Sequence, residues 1–543
     1  MTTTFSPSAQ TDRFVHERLP PPDQWPLFDY SQLPDLKIAP QSNLVEVLFA
    51  RAMQGGHAER PMLRSDRITL SYADALDRVK RISQLLVEDF HLVPGNRVLL
   101  RGGNSIGMAL AWLGVVQAGL VAVATMPLLR AKELGEIIDK AQPTVGICDA
   151  KLLDELEQAQ AAHPVLCTIL KFNAMGDPQD LGALCAAKSG RIDPCPTAAD
   201  DIALMAFTSG TTGRPKAAVQ THRDVLAACE AWPRHVLQAT PDDIVMGSPP
   251  LAFTFGLGGM LIFPMWAGAS VYYPAIAYTP EAMVKLLKQA GATICYTAPT
   301  FYRQMAAFAK QLGVPDLRIC VSAGESLPDA TRQLWKDASG IEIIDGFGAT
   351  EMFHIFISSR PEEVRRGAIG KAVPGYSAKV VDEQGLEVPR GGIGRLAVIG
   401  PTGCRYLDDE RQRKYVKGGW NYPGDAFKQD ADGYFFYQAR DDDLIITSGY
   451  NVAGPEVEDA LLKHPAVAEC GVVGVADDDR GMVVKAFVVL KPDQTGDEAM
   501  VKTLQDHVKA MLAPFKYPRQ VEFRAQLPRT ETGKLQRFKL RQP

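Results

Sequence analysis

The sequence predicts an α/β protein in two parts. A large N-terminal domain has parallel sheets with flanking helices and a small antiparallel β subdomain; a small, mobile α+β domain follows as a lid. Two observations carry this reading. Short apolar strands alternate with helical stretches through the first two thirds of the chain, and a charged run, Arg440-Asp441-Asp442-Asp443, precedes a last segment with its own strand and helix pattern. Length agrees, because 543 residues exceed what one core usually organises, and an apolar content of 46% is ample to fill two.

The alternation begins with Arg97-Val98-Leu99-Leu100, a helix after Asn104, and a strand over residues 120–124. It recurs at residues 145–148, 203–207, 294–296 and 317–321, each bounded by Gly, Pro or polar residues. Residues 105–126 carry no charge and are long enough to cross a bilayer. Gly119, however, divides them into an Ala/Leu/Trp-rich half and a β-branched half, so a buried helix feeding a covered parallel strand is expected instead. From residue 378 to about 399 the pattern changes to short strands with Gly turns, the antiparallel subdomain. The domain boundary is placed at the charged run, giving domains 1–440 and 441–543. The second has strands at 469–475 and 484–490 and a helix over about 498–512.

Composition excludes several classes. With 58 basic and 63 acidic residues the net charge is −5, which leaves no electrostatic footprint for nucleic acid. Nine cysteines without a Cys-x-x-Cys pair read as reduced thiols, and residues 1–22 have no apolar segment of the signal type. A cytoplasmic protein with no membrane partner is expected, with self-association as a homodimer left open.

The most informative stretch is Thr208-Ser209-Gly210-Thr211-Thr212-Gly213-Arg214-Pro215-Lys216. Its glycines let the backbone approach a polyphosphate, four hydroxyls supply neutral donors, and Lys216 places a point charge on the oxygens. It is not a Walker loop, since Arg-Pro stands before the lysine and Pro215 breaks any helix starting there. Alone, such a cluster is more commonly a surface turn.

Here it is followed, in order, by Asp345-Gly346-Phe347-Gly348-Ala349-Thr350-Glu351, Tyr422-Pro423-Gly424-Asp425, Arg440-Asp441-Asp442-Asp443-Leu444-Ile445 and Pro528-Arg529-Thr530-Glu531-Thr532-Gly533-Lys534. The set resembles the motifs of the acyl-adenylate-forming ligases over most of the chain. The resemblance implies a carboxylate attacking the α-phosphorus of ATP to give an acyl-adenylate and pyrophosphate, then thiolysis by coenzyme A to release AMP. Such a crowded anionic transition state needs cations and fixed donors. By the same resemblance Lys534 is the catalytic lysine beside the carboxylate and α-phosphate, and Thr350 and Glu351 are the pair whose carboxylate holds Mg2+ on the phosphates. Asp425 accepts from the ribose hydroxyls, Arg440 contacts ribose or phosphate, and adenine lies against Gly324-Glu325-Ser326 and the strand end Asp345-Gly346-Phe347-Gly348. Asp442 is the hinge about which the lid rotates, bringing Ser448-Gly449-Tyr450 to the site for the pantetheine arm. Read without the resemblance, Lys534 is a solvated lysine near a frayed terminus, Glu351 a helix-entry carboxylate, Asp425 a turn residue and the aspartate run a linker.

The acyl pocket is expected around Phe253, Thr254 and Phe255, with Ala323 and the segment from Gly346 through His354. Its aromatic bulk favours a flat, compact acid. Phe253-Thr254-Phe255-Gly256-Leu257-Gly258, Ser322-Ala323-Gly324-Glu325-Ser326-Leu327-Pro328 and Glu351-Met352-Phe353-His354-Ile355-Phe356 resemble the benzoate and 2-aminobenzoate coenzyme A ligases. Two departures stand out: Thr254 where a small apolar residue is usual, and Gly259 where that group often has Asn. An ortho-amino group needs a buried acceptor, which Thr254 or His354 would supply; His354 reads equally as a core histidine bonded to a backbone carbonyl. The expected function is therefore an aryl-coenzyme A ligase for 2-aminobenzoate, with benzoate or a hydroxybenzoate as alternatives. Two rivals remain: loading of a carrier-protein thiol, and a nucleotide-binding sensor without turnover.

Overall fold

In a computed structural model of the chain, the described residues are 7–208, 215–276, 278–440, 443, 445–447, 450–477, 481–529 and 535–541, with only the backbone described at Ile446, Tyr450, Asn451 and Gly481. Two large sheets organise the first 360 or so residues. One runs Thr168–Phe172, Val145–Asp149, Arg97–Arg101, Val121–Thr125, Ile202–Thr208, Lys216–Thr221; its first five strands are parallel and the last is antiparallel. The other has nine strands, with Ile343–Gly348, Ile319–Ala323, Ile294–Thr297, Ile244–Gly247, Ser270–Tyr272 and Pro61–Arg64 parallel in that order and antiparallel strands at both edges. The expected α/β class holds.

Local sequence explains the elements. Ser105 accepts from the Met108 N–H and starts the helix Ile106–Gln117, whose residues from Met108 onward are all buried. An all-round apolar helix of 12 residues beside a covered strand is a core element, as the division at Gly119 anticipates. Ser71 and Asp74 form a capping box on Tyr72–Glu88, which buries Tyr72, Ala75, Val79, Ile82, Leu85 and Leu86 at helical spacing. The strand expected from Leu317 starts at Ile319, because the Leu317 N–H closes a turn onto the Val314 carbonyl. Among the described residues no helix is long and apolar enough to cross a membrane.

Strand Ile202–Thr208 is followed by an antiparallel partner in the same sheet. Strand Lys216–Thr221 folds straight back, Thr208 opposite Lys216, so the phosphate-loop sequence joins an antiparallel hairpin.

Ser377–Val381, Ile393–Ile399, Asp425–Gln429 and Phe435–Arg440 form the antiparallel subdomain. Beyond it, Val467–Asp477 and Gly481–Leu490 pair antiparallel, Gln520–Phe523 lies parallel beside the latter, and helices Gly454–Leu462 and Glu498–Met511 accompany them. This last sheet has its own apolar core, including Val457, Leu461, Val472, Val488, Leu504 and Val508, which among the described residues draws no side chain from the preceding sheets.

Candidate active site

A cleft of about 2160 Å³ is lined by the ends of the large sheets, the antiparallel subdomain and the C-terminal sheet. At its floor Lys216 begins its strand and Glu351 sits on a tight turn, Thr350–Met352. Gln220, four residues along the Lys216 strand, donates to the carbonyls of Thr350 (3.2 Å) and Glu351 (3.1 Å), fixing the turn against the hairpin. Lys216 Nζ is 3.3 Å from Glu351 Oε1 and 2.7 Å from the Tyr406 hydroxyl, and that hydroxyl donates to the same carboxylate oxygen. Burial and the Glu351 charge push the Tyr406 phenol upward, so it stays a donor at neutral pH. Glu351 is 6% exposed, and a carboxylate so far from water needs this lysine and hydroxyl as partners.

Gly324 adopts φ +88°, a conformation open to glycine, and turns the chain so that Glu325 and Ser326 border the cleft. Glu325 accepts from Thr300 Oγ1 at 2.7 Å. Gly346, Phe347 and Gly348 line the wall, and Phe347 packs edge-on against Phe427 at 4.8 Å, tying the strand end to the antiparallel subdomain. Asp345 departs from the expectation. Its carboxyl lies behind the wall, accepting from the Gly346 N–H and facing Arg332, with burial pushing it up to about 7. Asp425 opens its strand and is 5% exposed; Arg440, opposite it in register, reaches Asp425 Oδ2 at 3.2 Å and the Pro423 carbonyl at 3.1 Å.

Phe253 precedes a helical turn, Thr254–Leu257, that continues into the wider π-helical turn Gly258–Ile262. Phe353, at φ +68°, reverses the backbone after Glu351 and directs His354 inward, a strained residue of the sort found at functional sites. His354 is 4% exposed, among Phe255, Phe263 and Trp232 at ring separations of 5.5, 4.6 and 5.3 Å. Its Nε2 is 3.3 Å from the Phe255 carbonyl, and since a carbonyl only accepts, Nε2 carries the proton. Nδ1 is then a lone-pair acceptor, and it has no hydrogen-bond partner among the described residues. Burial depresses the imidazole to about 3, so it is neutral at physiological pH. Gly259 is explained by Tyr296: a Cβ there would sit 2.6 Å from the fully buried Tyr296 ring, leaving no room for Asn. Gly258 has the same relation to His354.

The structure thus gathers Thr208, Lys216, Phe253, Thr254, Phe255, Ala323, Gly324, Glu325, Ser326, Gly346, Phe347, Gly348, Thr350, Glu351, His354, Asp425 and Arg440 around one cleft. Ser209, Gly210, Thr211, Thr212, Gly213, Asp442, Gly449 and Lys534 lie outside the described residues, as does the side chain of Tyr450. Tyr406, Gln220 and Thr300 escaped the sequence reading. Their partners are distant in sequence, 55 residues from Tyr406 to Glu351, and no motif marks them.

Residues 49–405 match the AMP-binding enzyme family, and residues 456–534 match the AMP-binding enzyme C-terminal domain. A benzoate–CoA ligase of Thauera aromatica is 35% identical over 519 residues, 94% of this chain and 98% of its own. A 3-hydroxybenzoate–CoA ligase of Aromatoleum sp. (strain CIB) is 30% identical, covering 92% of this chain and 96% of its own. Among solved structures, the anthranilate CoA ligase AuaEII in complex with anthranoyl-AMP superposes with a TM-score of 0.88 at 34% identity, over 94% of this chain and 98% of that one. A benzoate CoA ligase from Burkholderia xenovorans LB400 gives 0.83 at 31%, over 92% and 100%. The chain belongs to the AMP-binding enzymes, the acyl-adenylate-forming superfamily, in its aryl-CoA ligase branch. It is an AMP-forming acid–thiol ligase, and ATP and coenzyme A are substrates of that family.

Proposed function

We propose that this chain activates an aromatic carboxylate, preferring 2-aminobenzoate to benzoate, and passes the acyl group to coenzyme A. A carboxylate oxygen attacks the α-phosphorus of ATP and pyrophosphate leaves; the coenzyme A thiol, losing its proton, then attacks the acyl carbon and AMP leaves with the bridging oxygen.

The observation carrying the substrate reading is His354. A neutral, buried imidazole on the cleft lining, its Nε2 proton committed to the Phe255 carbonyl, leaves an enclosed Nδ1 acceptor without a hydrogen-bond partner among the described residues, one that an amine reaching into this aromatic end would satisfy. An aryl amine donates where unsubstituted benzoate has nothing to give. The likeness to a ligase described with anthranoyl-AMP supports the same reading.

In this account Phe253, Thr254, Phe255 and Ala323 hold the ring, and Asp425 with Arg440 hold the ribose. Gly324, Glu325, Ser326 and the wall from Gly346 to Gly348 flank adenine, with Asp345 supporting that wall from behind. Thr208 to Gly213 with Lys216 receive the phosphates, and Lys534 stabilises the charge on the transferring group. Domains 1–440 and 441–543 pivot at Asp442 so that Gly449 and Tyr450 admit the thiol. Glu351 would hold Mg2+, which supplies charge neutralisation on the phosphates; its oxygen donor at the cleft floor fits a hard cation that takes one or two carboxylates plus phosphates.

The test is the ratio of kcat/KM for 2-aminobenzoate over benzoate. The reading predicts a ratio above one that falls on His354→Ala; benzoate leading in the wild type would reject the amino-group assignment.

A further inference from the structure

Tyr406 sits on a short extended segment laid along the strand Lys216–Thr221. The Val219 N–H donates to the Arg405 carbonyl at 2.8 Å and the Leu407 N–H to the Ala217 carbonyl at 2.9 Å, with Tyr406 opposite Ala218. In an antiparallel pair of this register the partner strand takes the backbone groups of residues 405 and 407, and the N–H of residue 406 points away from it. Tyr406 is 1% exposed, so that N–H needs a partner other than bulk water.

Gln412 supplies it. Its Oε1 accepts from the Tyr406 N–H at 2.9 Å, and its Nε2 donates to the Cys404 carbonyl at 3.0 Å and to the Gln24 carbonyl at 2.9 Å. A backbone N–H only donates and a carbonyl only accepts, so the amide has one possible orientation, and it stands where the peptide group of a further strand would. Gln412 is itself buried, at the start of the turn Gln412–Tyr415, and Tyr415 at the end of that turn packs edge-on against the Tyr406 ring with centroids 5.7 Å apart. One turn therefore fixes Tyr406 by backbone and by ring. The bond to Gln24 ties that turn to the N-terminal segment, which holds the same region at two more points. There the Asp408 N–H donates to the Arg18 carbonyl and the Leu27 N–H to the Gly419 carbonyl, both at 2.9 Å. Gln412 thus lies behind the cleft floor, and Tyr406, whose hydroxyl bonds to both Lys216 and Glu351, connects it to them.

We propose that Gln412 is a positioning residue for the nucleotide site: it sets the Tyr406 hydroxyl, and through it Lys216 and Glu351, at the angle that binds the phosphates of ATP, with the N-terminal segment as its brace. The inference rests on the ligase reading above.

Five proteins test it: wild type, Gln412→Met, Tyr406→Phe, the two changes combined, and Val79→Ala. Gln412→Met keeps the length of the side chain and loses the three bonds, whereas Val79→Ala loosens the core under the helix Tyr72–Glu88, outside the cleft lining. Steady-state pyrophosphate release with 2-aminobenzoate and with benzoate gives kcat and KM for ATP, and calorimetry gives the dissociation constant of ATP without an acid. Gln412→Met should raise KM for ATP and the dissociation constant roughly three- to ten-fold, up to the effect of deleting the hydroxyl, with kcat within about two-fold. In the Tyr406→Phe background the same change should have less than about a two-fold effect, because the group it positions is gone. Val79→Ala should lower the denaturant midpoint and leave KM for ATP unchanged. Should Gln412→Met not fold, the cycle is read with Gln412→Glu, which keeps an acceptor for the Tyr406 N–H and should raise KM for ATP about two- to three-fold. An unchanged KM for ATP, an equal rise in the Tyr406→Phe background, or an equal rise in Val79→Ala would overturn the positioning role. A wild type inactive with both acids would instead reject the ligase reading for them, while the dissociation constants would still decide the role of Gln412. A rise in Gln412→Met that vanishes with Tyr406→Phe supports it; no rise, or no binding of ATP by the wild type, overturns it.

Discussion

The Tyr406 hydroxyl donates to the Glu351 carboxylate while accepting from Lys216, so an anion and a cation at the cleft floor share one neutral side chain. The phenol sets the angle at which both groups face the cleft. Tyr406→Phe keeps the ring packing against Tyr415 but removes the bridge. We expect adenylation to fall about ten-fold, consistent with loss of a hydrogen bond to a charged group, chiefly as a raised KM for ATP. Glu351→Gln should cost more, on the order of 100- to 1000-fold in kcat, since it removes the carboxylate proposed to hold the Mg2+ that neutralises the phosphates. Steady-state pyrophosphate release measures both; equal activity of Tyr406→Phe and wild type would remove the bridge from the account.

Gly259→Ala should destabilise the protein by about 1–3 kcal/mol, the cost of overpacking a filled core. The methyl would meet the Tyr296 ring at 2.6 to 3.0 Å, and that ring is enclosed on all sides. Denaturant midpoints give the value. The added Tyr296→Ala change should relieve the clash, so the two substitutions should be markedly non-additive.

His354→Ala should reduce kcat/KM for 2-aminobenzoate relative to benzoate by roughly ten- to a hundred-fold, the range for an unpartnered buried polar group. Because the wild-type imidazole is held down to about 3, the ratio for the two acids should be flat between pH 5.5 and 8. A ratio that titrates near 6.5 would show that His354 changes charge in the working range, against the acceptor role.

Acid stability follows from two buried histidines. His222, whose Nδ1 accepts from the Leu44 N–H, and His354 are both pushed down to about 3 by burial, against 6.5 when unfolded. The unfolded chain then binds protons that the folded one does not. Their contribution is intact above pH 6.5 and is lost as pH falls toward 3, at about 1 kcal/mol per pH unit for each. Asp345 acts in the opposite sense. Its carboxyl is raised to about 7 from 3.8, so the cost of burying it grows as pH rises from 3.8 to 7. Asp345→Asn should therefore gain stability relative to wild type between pH 5 and pH 8, and denaturant melts at the two pH values check the sign.

Most of the architecture was legible because its signals are local. Apolar runs, caps and Gly turns mark strands and helices, and the uncharged stretch around Gly119 declared a core helix and strand through its change of composition. The Glu351, Asp425 and Arg440 segments were legible for a different reason, as motifs of a known family. What the sequence hid is long-range. Tyr406 meets Lys216 and Glu351 only once the antiparallel subdomain folds against the hairpin, and Gln220 reads as an ordinary strand residue until its amide is seen holding the Glu351 turn. Gly259 looked like a departure from a pattern, and its reason, the Tyr296 ring, comes from a separate strand. The motif around Asp345 does not say where its carboxyl lies: it is buried beside the Gly346 N–H and Arg332, while Gly346, Phe347 and Gly348 line the cleft.

The most direct test of the central claim is AMP and pyrophosphate formation measured with and without coenzyme A over 2-aminobenzoate, benzoate, 2-, 3- and 4-hydroxybenzoate and octanoate. The account predicts coenzyme A-dependent turnover led by 2-aminobenzoate and negligible turnover of octanoate. Adenylation indifferent to coenzyme A would point to a carrier-protein acceptor, and no turnover of any aromatic acid would contradict the account.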